Sequence, residues 1–249
     1  MNCVGKYYEL VNIKRLKPWK NSPDTLFGTL IHNSVQDVLS DKRTAEEASA
    51  HLKKVWGRLF TLFKLDPKFK NHGAIGEKIT LYIKGFLTRT YGKFTVKHIE
   101  YKIKKKLDDF PQDFKGYIDI VIQLENGKYI IADFKTANSV YYFEQYRDKI
   151  KDYQIILYKK FYSELENVSL EDIETSFIVF EKTLESKKPV QIIEVGSSPV
   201  KMKNANEWLQ TSAKLINQKK FLKNFSNCFK YGQNHPCCFV GSEHCSRRK

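Results

Sequence analysis

The stretch GYIDIVIQLENGKYIIADFKT, residues 116–136, decides the fold. GYIDIVIQL and KYIIADFKT are short runs rich in Ile, Val, Tyr and Phe, the residues that pack well on a pleated surface. Glu125-Asn126-Gly127 between them supplies turn chemistry, so the two runs are expected to form an antiparallel hairpin. Each run carries one acid, Asp119 and Asp133. A two-residue Asn-Gly turn would set Asp119 across from Phe134. A three-residue loop with Gly127 left-handed would set it across from Asp133. Only the second puts both carboxylates together, and the three-residue loop is the expectation.

Upstream, HIEYKIKKKL at 98–107 alternates and joins the hairpin in a strand meander. Before it lie three helical stretches: 24–39, opened by Ser22-Pro23-Asp24, then 44–63 and 74–91. After the hairpin a long helix is expected at about 141–165, then strands at FIVFEKT (177–183) and VQIIEV (190–195), and a last helix at 203–222. The fold class is therefore α/β, a mixed central sheet flanked by helices. One domain of residues 1–225 is expected, helical to about residue 95 with its core at 96–225. Residues 226–249 form a cysteine-rich tail.

The 249 residues suffice for a full core. Forty-three Lys and Arg against 28 Asp and Glu give a formal charge of +15, which favours a polyanionic partner through phosphate contacts. No run of about 18 apolar residues exists to span a bilayer, and the basic residues are scattered, so no membrane partner is expected. The N-terminus lacks the apolar stretch of a secretory signal, which leads to a cytoplasmic expectation. There is no GxxxxGK[ST] phosphate loop and hence no ATP motor of that type.

Asp133 and Lys135, two apart on a strand, share one side of it. Charges inside an apolar strand are costly to bury unless compensated. Two facing carboxylates offer hard oxygen ligands for Mg²⁺ or Mn²⁺. A cation so held lowers the pKa of its water and offsets charge growing on phosphate oxygens, and a lysine beside it can orient the water or stabilise the transition state. The assembly suits phosphodiester hydrolysis. Taken alone, D-x-K is a common pattern that an ordinary ion pair also explains.

The ordered set is more specific. Gly116-Tyr-Ile-Asp119, then Asp133-Phe-Lys135, then Gln154 and Tyr158 in YQIILY resemble the G-x-x-D, D/E-x-K and Q-x-x-x-Y motifs of the RecB-type branch of the PD-(D/E)xK nucleases, which includes CRISPR-associated and phage exonucleases. Gly28 and His32 match that branch's upstream G-x-x-x-H. The resemblance implies a restriction-endonuclease-like core and an exonuclease acting on DNA in repair, recombination or phage DNA processing. It assigns metal ligation to Asp119, Asp133 and His32, and assistance of the water to Lys135. Gln154 and Tyr158 would position the strand. Glu100 stands where relatives carry an acid supporting the metal, or equally faces solvent.

In several relatives an N-terminal cysteine and three C-terminal ones hold a 4Fe-4S cluster. Here Cys3, Cys228, Cys238 and Cys245 would be the ligands, with Cys237 the alternative to Cys238; the spacing departs from the family's tight C-x-x-C, and zinc remains open. Lys102, Lys104, Lys105 and Lys106 before the hairpin, and Lys149, Lys151, Lys159 and Lys160 after it, suggest a positive channel, with Tyr141, Tyr142 and Tyr153 for base stacking. The expected partner is DNA, single-stranded or at duplex ends, with a helicase or recombination protein as a further one. The rival readings are a non-catalytic nucleic-acid-binding subunit on the same fold, and an RNA or nicking endonuclease.

Overall fold

The computed structural model describes residues 22–218. Residues 22–209 form one compact unit. The boundary expected at 225–226 lies outside the described residues.

Three helices come first: α1 (Pro23–Leu39), α2 (Ala45–Leu62) and α3 (His72–Tyr91). Ser22 caps α1, accepting from the Thr25 amide, with Pro23 preset for the first turn. Thr44 and Glu47 make a reciprocal capping box on α2. The strands follow as β1 (Phe94–Lys106), β2 (Asp113–Leu124) and β3 (Tyr129–Ala137). Helices α4 (Val140–Tyr146) and α5 (Lys149–Glu166) then cross over to β4 (Ile173–Glu181), β5 (Val190–Glu194) and α6 (Pro199–Asn217). The five strands lie in chain order. Only β3–β4 is parallel, so the sheet is mixed as expected.

The two sides of the sheet are covered differently. Phe27, Ile31 and Val35 of α1, Trp56 of α2 and Ile79 and Ile83 of α3 pack with Ile120, Ile122, Ile130, Ala132, Phe134 and Ile178 in one cluster. The alternate strand residues Val121, Ile131, Phe177 and Val179 are also buried, and α5 contacts β1, β3 and β4. Period-two alternation thus feeds both layers. Burial of side chains of this size contributes roughly 1.5–3 kcal/mol each.

The hairpin has the expected register. Ile120 faces Ala132 and Gln123 faces Tyr129; the Leu124 amide donates to the Lys128 carbonyl at 2.8 Å, and Gly127 takes φ +85°. The loop is Glu125-Asn126-Gly127.

Several boundaries differ from the sequence reading: β1 starts at Phe94 rather than 98, β2 at Asp113 rather than 116, and β4 spans Ile173–Glu181 rather than 177–183. The long helix at 141–165 is two helices, because Asp148 accepts from the Ile150 amide as a new N-cap while Arg147 is extended at ψ 142°. Arg147 fixes the corner by donating to the Glu144 carbonyl and pairing with Asp152 at 2.7 Å. The last helix starts at Pro199 rather than 203, proline being well suited to a first turn.

Replacing Gly127 by Ala forces a Cβ into left-handed backbone. It should lower stability by about 1 kcal/mol in urea or thermal unfolding, and Gly127→Asn should cost less.

Candidate active site

Continued by one residue past Ile120–Ala132, the hairpin count sets Asp119 across from Asp133, yet the ladder stops before that pair. The Phe134 amide, which would have donated across the hairpin, donates instead to Asp119 Oδ2 at 2.6 Å. The carboxylate thereby takes the place of a strand carbonyl, and β2 and β3 part around it.

Asp119 is largely buried beside a second acid. Burial first, and then the charge of Asp133, push its carboxyl up to about 7, against the lowering effects of the Phe134 amide and of Lys135. Asp133 is 5% exposed. Its Oδ2 is in ion-pair contact with Lys135 Nζ but accepts no aligned hydrogen bond among the described residues, an uncommon state for a buried carboxylate oxygen.

Glu100 completes a row of acids. It sits on β1 between Ile99, paired with Ile120, and Tyr101, paired with Ile118, which sets it level with Asp119. Its backbone is left-handed, φ +52°, costing of order 1 kcal/mol for a non-glycine residue. Gln36, buried on α1, donates its side-chain amide to Glu100 Oε1 at 2.6 Å. Glu100 is exposed and at the same time held by Gln36.

His32 lies one turn before Gln36 on the same helix. Its ring packs edge-on against Phe134 at 5.5 Å, with Nδ1 3.8 Å from Asp119 Oδ2. Burial, and next the Lys135 charge, hold its pKa below the usual value, keeping a ring nitrogen free to ligate. The α1 face thus brings His32 to Asp119 and Gln36 to Glu100 through i, i+4 spacing.

From the other side of the sheet α5 delivers Gln154 and Tyr158. Gln154 is exposed and donates its amide to the Tyr158 hydroxyl at 2.7 Å. Tyr158 is buried, which raises its phenol pKa, and it covers Gly116, where an added Cβ would stand 2.5 Å from its ring. That contact explains why the first residue of the G-x-x-D stretch has no side chain.

The structure therefore brings Asp119, Asp133, Lys135, His32 and Glu100 to one end of the β2–β3 hairpin, with Gln154 and Tyr158 beside them. Among the described residues no three His, Cys, Asp or Glu side chains are arranged to close on a cation as they stand. The donor chemistry nevertheless fits a hard divalent ion: clustered acids, one with a buried oxygen that meets only the Lys135 ammonium and one with its carboxyl pushed up by burial and by its acidic neighbour. The sequence reading missed Gln36, although its spacing from His32 was a usable signal. Of the lysines expected to line a channel, Lys159 is buried and donates to Ser197 at 2.7 Å, and half-buried Lys160 donates to Asn206 at 2.8 Å. Cys3, Cys228, Cys238 and Cys245 lie outside the described residues.

A family model described as the PD-(D/E)XK nuclease superfamily matches residues 2–246. No curated protein matches the chain. Among solved structures, a crystal structure from Eubacterium rectale, of a protein named as a candidate exonuclease, aligns over 100% of this chain and 84% of its own, at 12% identity and TM-score 0.56. That likeness shows the fold. The structure of SSO0001 aligns over 95% of this chain and 92% of its own, at 14% identity and TM-score 0.39, too loose to argue from.

Gly116→Ala should displace Tyr158 and cost roughly 1–3 kcal/mol by overpacking in thermal or urea unfolding. The cost should shrink in a Tyr158→Ala background, since the two residues compete for one space. Equal costs in both backgrounds would show that the contact is not the constraint.

Proposed function

Because the chain belongs to the PD-(D/E)XK nuclease superfamily, we propose that it is a metal-dependent DNA nuclease, acting as an exonuclease, with Asp119, Asp133 and Lys135 at its centre. The observation that carries this reading is the convergence of Asp119, Asp133 and Lys135 where the β2–β3 ladder opens, two largely buried acids side by side with one lysine in contact with Asp133. A structural ion pair alone would leave that cluster of acids without compensation.

Asp119, Asp133 and His32 would hold Mg²⁺ or Mn²⁺, which when bound supplies a water of lowered pKa and offsets charge on the phosphate. Lys135 stands against Asp133 and provides a fixed positive charge beside the scissile phosphate. Glu100, steadied by Gln36, accepts a hydrogen bond at the β1 end of the row and is suited to accept one from a water or a ligand of the cation. Gln154 is exposed, and with its amide nitrogen held by Tyr158 its side-chain carbonyl is the group left to offer the nucleotide. Its partners in this reading are DNA and a helicase or recombination protein. For Cys3, Cys228, Cys238 and Cys245 the proposal follows the sequence: an iron–sulfur cluster ahead of zinc, decided by iron, sulfide and zinc analysis of the purified chain.

End-labelled DNA, single- and double-stranded, linear and circular, incubated with Mg²⁺, Mn²⁺ or EDTA tests the activity. Linear DNA should lose label only with a cation, and Asp133→Asn and Lys135→Ala should each lower the rate at least a hundredfold, the scale of removing one electrostatic stabiliser. Loss of circular DNA at the same rate would replace exonuclease by endonuclease. Intact DNA binding without cleavage would replace the enzyme by a binding subunit.

A further inference from the structure

Among the described residues Phe63 and Trp208 are exposed aromatics that stand elsewhere, at the end of α2 and on α6, whereas four exposed tyrosines share one region. Tyr117 is 52% exposed, Tyr141 64%, Tyr142 63% and Tyr146 77%. All four lie at one end of the acidic row. Tyr117 precedes Asp119 by two residues on β2, and the hairpin count sets it level with Lys135. Tyr141, Tyr142 and Tyr146 stand on α4, which follows β3 directly. This is the end of the hairpin away from the Glu125–Gly127 loop.

The α4 rings form a continuous shelf. Tyr142 and Tyr146 are stacked, 5.9 Å apart and inclined by 24°, and Tyr141 meets Tyr142 edge-on at 5.6 Å. None of the four hydroxyls makes a hydrogen bond among the described residues, whereas buried Tyr158 is bonded to Gln154. Tyr153, another candidate from the sequence, packs against Trp208 at 6.1 Å and is not part of the shelf. A contiguous exposed aromatic patch marks an interaction site more often than bare surface.

The position and charge of the patch select the occupant. Lys151, at the start of α5 with its ammonium over the Phe143 ring at 5.0 Å, lies within electrostatic reach of both Lys135 and Asp133. The shelf is therefore adjacent to the hydrolytic centre. By count residues 140–153 are neutral, Arg147, Lys149 and Lys151 against Glu144, Asp148 and Asp152, and Arg147 is paired with Asp152 at 2.7 Å. A surface that gripped phosphates would be basic; this one offers ring faces. In the interior of a duplex the bases are already stacked on one another, so along a strand ring faces of this kind engage unpaired bases.

We infer that Tyr142 and Tyr146, flanked by Tyr141 and Tyr117, are a stacking shelf for unpaired bases, and that the substrate strand enters the site single-stranded or frayed. This rests on the nuclease reading above, with the phosphate at the acids while the neighbouring bases lie on the rings.

The test is binding in EDTA, where no cleavage occurs, using a single-stranded oligonucleotide carrying 2-aminopurine, a strand of the same length with abasic sites, and a blunt duplex. Tyr142→Ala and Tyr146→Ala should each weaken single-strand binding by about tenfold, with loss of the stacking quench of 2-aminopurine. Tyr142→Phe and Tyr146→Phe should retain both. The abasic strand should bind wild type weakly and the Ala variants no worse, and the duplex should be little affected. Unchanged single-strand binding in the Ala variants, or a loss as large on abasic strand and duplex, would overturn the shelf. If the quench and its loss are seen but no cation supports cleavage, the shelf stands and the nuclease reading falls. If cleavage proceeds with binding blind to the bases, the reverse holds.

Discussion

The hydrogen bond from the Phe134 amide to the Asp119 carboxylate is the constraint on which the rest of the site depends. It is a side chain answering a backbone donor that a strand carbonyl would otherwise have taken, and it ends the β2–β3 ladder at Ile120–Ala132. Beyond that point the strands part and Asp133 and Lys135 are released from regular pairing with β2. A buried amide has to be satisfied, so a change at Asp119 removes an acid from the cluster and also leaves an orphan donor in the sheet. Chemistry and folding are coupled through one carboxylate oxygen.

Around this opening the helices act as clamps from opposite sides. On one side α1 is seated by Phe27, Ile31 and Val35, and its polar stripe delivers His32 and Gln36 as a consequence of core packing. On the other, α5 is seated by Ile155, Ile156, Phe161 and Tyr162, and its Tyr158 closes over Gly116. Both arrangements use the i, i+4 spacing of a helix whose apolar face fixes the rotation of its polar face. The acids crowd where this geometry puts them, and desolvation together with mutual repulsion pushes Asp119 up to about 7. Such a cluster is unfavourable for a folded protein with no positive ion to receive, and positions with perturbed ionisation of this kind are where function concentrates.

Short-range chemistry made much of this legible beforehand. The apolar alternation of residues 116–136, the three-residue Glu125-Asn126-Gly127 loop and the capping signals at Ser22 and Thr44 are local rules, and the hairpin register follows from them by counting. The break at Arg147 and Asp148 was less visible, because Asp148 reads as one more polar residue on a helix until its side chain is seen to cap the next one. Lys159 and Lys160 read as surface charge because sequence does not show that Ser197 and Asn206 receive them.

By itself, then, the sequence determined the strand and helix periods, the loop that aligns Asp119 with Asp133, and the spacings that put Gln154 with Tyr158 on one helix face. Those are contacts within a hairpin or a helical turn, where residue separation fixes geometry. Tertiary structure decided that His32 reaches Asp119, that Gln36 holds Glu100 across sixty-four residues, and that the exposed tyrosines of β2 and α4 gather at one end of the acids. Those contacts depend on how separately formed elements pack, and packing is set by the whole core at once rather than by any local stretch.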